Sequence, residues 1–239
     1  MISGVELLRE HRYRELWDKY CGFLDLSMSG FMDIQRHLLL EQLELLRGCE
    51  LGRLVMKGTQ PQTIDEFRRL VPLTTYADYA PHFEEGRDDI LPAKPILWQR
   101  TSGIWGEYES KWAPMTERMS EEIGSVLFAG LILATCKRKY DINLDDEPRI
   151  LYAMAPPPYA TGCWARLATE ELPLRFLPSP EEAEGMLFED RLRQGFRLAL
   201  SEGLDVVFGL PGVLVAMGEQ LSRSSQGWNL ISHITQPGL

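Results

Sequence analysis

The sequence lacks paired cysteines and clustered histidines, the usual marks of disulfide scaffolds and zinc sites. Its four cysteines are widely spaced, with no CxxC pair: Cys21, Cys49, Cys136 and Cys163. This spacing indicates free thiols in a reducing compartment, so we expect a cytoplasmic protein. The four histidines are equally scattered and show no zinc-ligand spacing. We therefore predict no metal site built from protein side chains alone.

Basic charge and long apolar runs are also scarce. The 239 residues carry 35 acidic and 25 basic side chains, a net charge of -10, which argues against a general nucleic-acid partner. The most apolar run, VLFAGLILATC at 126–136, is shorter than the about 20 residues that a membrane-spanning helix needs. It predicts a buried helix instead. The N-terminus, charged from Glu6 onward, has no apolar signal core, so we expect neither a secretory signal nor a membrane partner.

Residues 1–60 have the pattern of a helical segment. Apolar residues recur at helical spacing through Leu7, Leu16 and Phe23, and a second run from Phe31 to Leu46 has a broad apolar face that Gly48 would end. A short helix, TIDEFRRLV, follows, with Thr63 as its cap and Glu66 as the partner in a capping box.

Strand and helix patterns occupy residues 61–239, and they alternate with short turns in the second half of the chain. Strands are predicted at 95–100, in RILYAMAP, in PLRFLPS and in DVVFGLP, with helices over 117–140, over 180–202 and in GVLVAMGEQL. A shorter helix near Tyr76 precedes them, and Thr116 and Pro180 suit the first turns of the two longer helices. The alternation predicts an α/β fold with a mostly parallel sheet flanked by helices, within a single domain over 1–239.

The loop in RTSGIWGEYESKWAPMT, residues 100–116, carries the parts of a phosphate site. Glycines allow close backbone approach, hydroxyls donate hydrogen bonds and a lysine offsets negative charge; these parts are Thr101, Ser102, Gly103, Gly106 and Lys111. The phrase is not the Gly-x-x-x-x-Gly-Lys-Ser/Thr loop. From spacing alone, a plain glycine-containing turn with a solvated Lys111 remains open beside a phosphate role.

This loop resembles the Thr/Ser/Gly-rich loop of the acyl-adenylate-forming superfamily. The segment before the loop, FRRLVPLTTYADYAPHFEEG, is similar to the corresponding segment of phenylacetate-CoA ligases and of plant auxin–amino acid amido synthetases. The segment KWAPMT resembles the amido synthetases more closely. YAMAPPPYATGCWAR resembles the segment that lines the acyl pocket, and LALSEGLDVVFGLPGVLVAMGEQL resembles the later helix–strand–turn–helix. The resemblance covers residues 63–221.

The resemblance implies an activity and a set of site residues. Mg-ATP would activate a carboxylic acid as an acyl-adenylate, and an amine or thiol acceptor would then take the acyl group. Lys111 would offset charge on the leaving pyrophosphate, while Thr101 and Ser102 would donate hydrogen bonds beside Gly103 and Gly106. Three further residues would lie near the acyl group: Tyr159, Gly162 and Trp164. Residues 61–239 would form the first part of the large domain of such an enzyme.

Departures from the family pattern support a second hypothesis. Ile104 and Trp105 stand where hydroxyl residues are expected. Lys111 is separated from Gly103 by more residues than the corresponding glycine and lysine of the family pattern. The adenine- and ribose-binding phrases of the Tyr-Gly-x-Ser/Thr-Glu and Thr-Gly-Asp types are absent from the sequence. The chain would then be a truncated, non-catalytic homologue: an interaction module, a homo-oligomer or half of a split protein. A third alternative is an unrelated fold with a chance glycine loop.

Structural roles compete with functional ones at several other residues. Trp98, Trp105 and Trp112, seven residues apart, favour packing around the loop over base stacking. Tyr159 and Trp164 could pack against the neighbouring prolines. The acidic run Asp145–Glu147 is typical of a solvated turn rather than a metal cluster. Cys163 lies beside the predicted acyl segment, but no partner base is identifiable for a nucleophile.

Overall fold

The computed structural model of the chain describes residues 3–101, 110–171, 173–209 and 211–223. The predicted loop residues Ser102, Gly103 and Gly106, with Ile104 and Trp105, lie outside the described residues. The chain divides into two compact units, Met1–Pro148 with Ala155–Leu174, and Arg149–Met154 with Arg175–Leu239. The single domain over 1–239 stays a prediction.

Unit 1 is mainly helical, as the first sixty residues predict. Its helices are α1 Gly4–Arg9, α2 Tyr13–Tyr20, α3 Met28–Arg47, α4 Glu50–Val55, α5 Ile64–Leu70, α6 Ala80–Glu84, α7 Glu117–Thr135 and α8 Ala160–Glu171. Short 3-10 turns occupy Gly22–Asp25, Tyr76–Asp78 and Asp88–Ile90. The helix predicted near Tyr76 is therefore a 3-10 turn followed by α6. His11, with a φ of 55°, separates α1 from α2.

Two predicted helix caps are confirmed in detail. The Thr63 hydroxyl oxygen accepts from the Glu66 amide at 3.2 Å, and that of Thr116 accepts from the Met119 amide at 3.3 Å. The capping box at Thr63 is displaced by one residue, because the Glu66 carboxylate accepts from the amide of Gln62. The prediction that α7 runs to residue 140 was wrong: it ends at Thr135, and the basic residues after it lie in a turn where Tyr140 has a φ of 67°.

Helix α3 packs with only part of its apolar surface. Leu43 is 1% exposed, and Gly48 caps the end of the helix as predicted. A second set of apolar side chains on α3 is exposed: Phe31, Ile34, Leu38 and Leu45. At 100° per residue these four fall within one quarter of the helix circumference, on a different side from Leu43. We call them the α3 stripe.

The longest apolar run forms the C-terminal half of helix α7. Phe128, Ala129, Leu131 and Ile132 are buried, and Tyr20 meets Phe128 edge to face at 4.6 Å between ring centroids. Val126 on the same helix is 70% exposed, so the burial is one-sided. Across the described ranges, no helix combines the length and apolarity that a membrane crossing requires.

The predicted strand before the loop belongs to an antiparallel hairpin. Strand β1, Leu97–Arg100, pairs with β2, Trp112–Met115, in the register Leu97↔Met115 and Arg100↔Trp112. The predicted strand at 95–100 and the predicted helix that follows Thr116 are therefore not joined by the loop alone, because β2 lies between the loop and α7. Strand β2 contains Pro114, which an edge strand tolerates because no sheet partner needs its missing N–H. This proline hides the strand in the sequence.

In its described residues, unit 2 contains the parallel sheet that the alternation predicts, with three strands. These are β3 Arg149–Ala153, β4 Arg175–Leu177 and β5 Val206–Gly209, in the order β4-β3-β5. Its helices are α9 Pro180–Ala183, α10 Phe188–Glu202 and α11 Pro211–Arg223. The helix predicted over 180–202 is split, because Gly185 takes a φ of 78° between α9 and α10. The fold is thus mixed α/β with small sheets.

The core of unit 2 lies between the sheet and α10. Leu151, Ala153 and Leu192 are buried together, with Phe196, Leu204 and Leu214 packed against them. Gly195 permits close contact, since a Cβ there would lie 2.6 Å from the carbonyl oxygen of Leu177.

Candidate functional site

The candidate loop is closed at its base by two hydrogen bonds. The Thr101 amide donates to the Lys111 carbonyl oxygen at 2.9 Å, and the Lys111 amide donates to the Thr101 hydroxyl oxygen at 3.2 Å. The hydroxyl oxygen of Thr101 is thereby engaged, but its hydrogen stays available because a hydroxyl both donates and accepts. The hairpin therefore holds two predicted site residues side by side.

Lys111 packs on an aromatic ring. Its Nζ lies 5.8 Å from the centroid of the Tyr76 ring, within the range of a cation–π contact. The Tyr76 hydroxyl accepts from the amide of Trp112 at 2.8 Å, which ties the same tyrosine to β2. Lys111 is half-buried, so it is not the solvated loop lysine of the alternative interpretation.

Trp98 has a packing role. Its ring lies 5.5 Å from that of Phe83, edge to face, and its Nε1 donates to Asp88 at 2.9 Å. Phe83 also contacts Tyr76 and Tyr79, so an aromatic cluster supports one side of the hairpin. This is the packing alternative given for the tryptophans; Trp105 lies outside the described residues.

Arg100, which no sequence motif marks as a site residue, joins the hairpin to the segment of Tyr159. Its Nη2 donates to the Tyr159 hydroxyl at 3.0 Å, and its guanidinium carbon lies 4.4 Å from that ring's centroid. The Arg100 amide donates to the Pro158 carbonyl oxygen at 2.9 Å. The only sequence signal for this residue is a basic side chain directly before the loop.

Trp164 and Gly162 lie on α8, next to the same strand. The Trp164 Nε1 donates to the side-chain oxygen of Gln99 at 2.8 Å, and Gln99 is 4% exposed. A Cβ on Gly162 would lie 2.4 Å from the carbonyl oxygen of Ala155, so this glycine allows α8 to approach the preceding backbone. Both contacts are structural; substrate contacts of Tyr159, Gly162 and Trp164 stay predictions.

Two other titratable groups of unit 1, Cys163 and Asp146, have shifted pKa values with structural causes. Burial raises the pKa of the Cys163 thiol, which disfavours the thiolate. Asp146 pairs with Arg9 at 3.0 Å, and this contact lowers the pKa of the Asp146 carboxyl. All four cysteines are free thiols. In the part of the chain that the structure describes, no three His, Cys, Asp or Glu residues are grouped to hold a metal ion.

Comparison with known families identifies the class of protein. A family model described as the GH3 family N-terminal domain matches residues 21–161, which contain the hairpin and the segment up to Tyr159. The chain therefore belongs to the GH3 family, which is part of the acyl-adenylate-forming superfamily. Members of the GH3 family use an acid and an amino acid acceptor. The match ends before Gly162 and Trp164. A search of curated proteins finds no match to the chain.

Proposed function

We propose that this chain carries the phosphate-binding hairpin of an acyl-acid amido synthetase. In this reaction Mg-ATP activates a carboxylic acid as an acyl-adenylate with release of pyrophosphate. The amine of an amino acid then takes the acyl group, and AMP leaves. A thiol acceptor is the alternative of the ligase branch. The substrates are small molecules, and we expect the reaction in the cytoplasm.

The observation that carries this proposal is the closed base of the hairpin. Thr101 and Lys111 are held side by side by two hydrogen bonds, at the ends of a loop rich in glycine and hydroxyl residues. Positioning and charge stabilisation account for most of the catalysis of a phosphoryl-group step, and a fixed cation at the loop base supplies both. Lys111 is the residue that we assign to the pyrophosphate charge.

The acyl side of the proposal rests on the residues that flank β1. Tyr159 and Trp164 are both half-buried, and each is oriented by a hydrogen bond to a β1 side chain. Aromatic side chains fixed in this way suit an apolar acyl group beside a polar reaction centre. Gly162, which keeps α8 close to the backbone at Ala155, would act by placing these aromatics.

The test is an ATP–pyrophosphate exchange assay with a panel of aromatic and aliphatic carboxylic acids. We expect exchange that depends on the acid, and about a hundredfold slower exchange in a Lys111→Ala variant, the usual cost of removing one stabilising group. Lys137→Ala, in the exposed turn after α7, is the matched control and should exchange like the wild type. Exchange that is absent with every acid, or equal in Lys111→Ala, would argue against the proposal.

The α3 stripe supports a second candidate function, an interaction module without chemistry. Phe31, Ile34, Leu38 and Leu45 are exposed on a 20-residue helix, and an apolar patch of this kind favours association. This candidate predicts a sedimentation coefficient that rises with protein concentration. A Leu38→Ser change should abolish this rise, whereas Val126→Ser, which removes an exposed apolar side chain from α7, should leave it unchanged. A monomer at every concentration, or a rise unaffected by Leu38→Ser, would remove the support that the stripe gives.

A further inference from the structure

The guanidinium of Arg100 has hydrogen-bond donors that the described residues do not use. Of its five N–H groups, one on Nη2 is donated to the Tyr159 hydroxyl. Its Nε is buried and finds no acceptor among the described residues. A buried N–H without a partner is uncommon in folded proteins, so a ligand acceptor is one physical explanation for it.

Among the described residues, Arg100 differs from the arginines that form ion pairs with carboxylates. Arg149, for example, forms a two-pronged ion pair with Asp205, and Arg118 pairs with Glu41. No carboxylate of the described residues lies within ion-pair distance of Arg100, which rests instead on the face of the Tyr159 ring. An aromatic face orients a guanidinium without neutralising its charge.

Tyr159 adds a second donor at the same place. Its oxygen accepts the hydrogen bond from Arg100, so the phenolic hydrogen remains free to point elsewhere. Both side chains are half-buried, which keeps part of the pair within reach of solvent. The pair thus combines a planar cation and a hydroxyl donor, with no acceptor group of its own left over.

We propose that Arg100 and Tyr159 form an oxyanion-binding pair at the base of the hairpin. Arginine presents a planar fork that suits carboxylate and phosphate groups, and here the ring holds that fork in one orientation. This inference rests on the proposed function, whose reaction supplies both kinds of oxyanion: the carboxylate of the acid and the phosphates of ATP. Arg100 would supply donors that Ile104 and Trp105 cannot.

The test measures binding of two simple oxyanions to the full chain by isothermal titration calorimetry at constant ionic strength. Sodium pyrophosphate represents the phosphate source and sodium benzoate the carboxylate source. The variants are Arg100→Met and Arg100→Lys, with Arg69→Met, an exposed arginine at the end of α5, as the control for net charge. Circular dichroism and thermal melting confirm that each variant is folded.

We expect at least one oxyanion to bind, and at least about a tenfold weaker affinity in Arg100→Met, the loss of one charge-assisted hydrogen bond. Arg100→Lys, which keeps the charge but not the fork, should lose less, and Arg69→Met should stay within about twofold of the wild type. The oxyanion that responds to Arg100→Met identifies the source.

The inference is overturned if neither oxyanion binds the wild type, or if both folded Arg100 variants bind as the wild type does. A separate titration with Mg-ATP keeps the two ideas apart. Binding of ATP that depends on Lys111 but not on Arg100 would leave the proposed function standing and remove this pair from it.

Discussion

Two cations at the hairpin, Arg100 and Lys111, rest on tyrosine rings. The Arg100 guanidinium lies over Tyr159 and the Lys111 ammonium over Tyr76, and within the described ranges neither has a carboxylate at ion-pair distance. Contacts of this kind fix a long side chain while its charge stays available to an anionic ligand. The two residues differ in how well the sequence predicts them. Lys111 follows from the family pattern, whereas Arg100 is recognised only by its contact with a residue 59 positions away.

A different charged residue, Asp205 in unit 2, should make the stability of the fold depend on pH. Arg149 donates to its carboxylate from the amide and from two side-chain nitrogens, and these hydrogen bonds hold the pKa of Asp205 below its usual range. Because the folded-state pKa is depressed, this stabilisation is present above the unfolded-state pKa of about 4 and is lost as the pH falls through the folded-state value. An Asp205→Asn variant should therefore unfold more easily at pH 7, by roughly 1–2 kcal/mol.

Urea unfolding of wild type and variant from pH 7 down to pH 2.5 measures this difference. It should shrink below about pH 4 as the carboxylate takes up a proton. Asp190→Asn is the control, because the Asp190–Arg193 pair on α10 is exposed and such pairs contribute little. A difference for Asp205→Asn that stays constant over the whole pH range would mean that its charge is not the cause.

At the scale of secondary-structure elements, a substitution of Gly162 measures how strictly the fold requires the close approach of α8 to the backbone at Ala155. Gly162→Ala would place a Cβ 2.4 Å from the Ala155 carbonyl oxygen, so we expect a loss of roughly 1–3 kcal/mol in unfolding free energy. Gly130→Ala on α7 is the matched change, since outside the adjacent helix backbone no atom lies within 4 Å of the added Cβ. It should stabilise the protein by roughly 0.5–1 kcal/mol, because alanine favours the helix.

Thermal or urea unfolding of the two glycine variants distinguishes a steric constraint from a propensity effect. Opposite signs are expected. If both changes stabilise the protein, α8 has room to move away from Ala155, and the close contact is not required.

The two apolar sides of α3 should differ in energy. Leu43 is 1% exposed, and Leu43→Ala should cost about 2–5 kcal/mol through lost burial and a residual cavity. Leu45, two positions on, is 42% exposed, and the same substitution there should cost about 1 kcal/mol or less. Equal losses in urea unfolding would show that the α3 stripe is covered in solution.

Element ends with a strong local signal were predictable, and weaker ones were not. Thr63, Thr116 and Gly48 mark helix ends in the sequence and do so in the structure, because caps depend on local hydrogen bonds. Strand β2 has four residues and a proline, so its strand character comes from pairing with β1. The break at Gly185 was missed because a glycine inside a helical pattern gives no indication of its φ.

At the scale of the whole molecule, the class of fold and the family were within reach of the sequence. Strand–helix alternation gave the parallel strands of unit 2, and the order of phrases around the loop gave the adenylate-forming resemblance that the GH3 match supports. The antiparallel hairpin could not be predicted from the sequence, because antiparallel pairing depends on which strands meet in space. The candidate site shares this limit: Thr101 and Lys111 were selected from the motif, but the contacts of Arg100 with Tyr159 and of Gln99 with Trp164 bring together distant parts of the sequence.

The central claim is that the hairpin between β1 and β2 binds the phosphates of ATP, and a thermal-shift titration with Mg-ATP tests it most directly. A ligand at about 100 times its dissociation constant adds roughly 2.7 kcal/mol to the stability of the protein that binds it. We predict a saturable rise in melting temperature for the wild type and for Lys137→Ala, and a much smaller rise for Lys111→Ala. An unchanged melting temperature up to millimolar Mg-ATP, or an equal rise in Lys111→Ala, would contradict the claim.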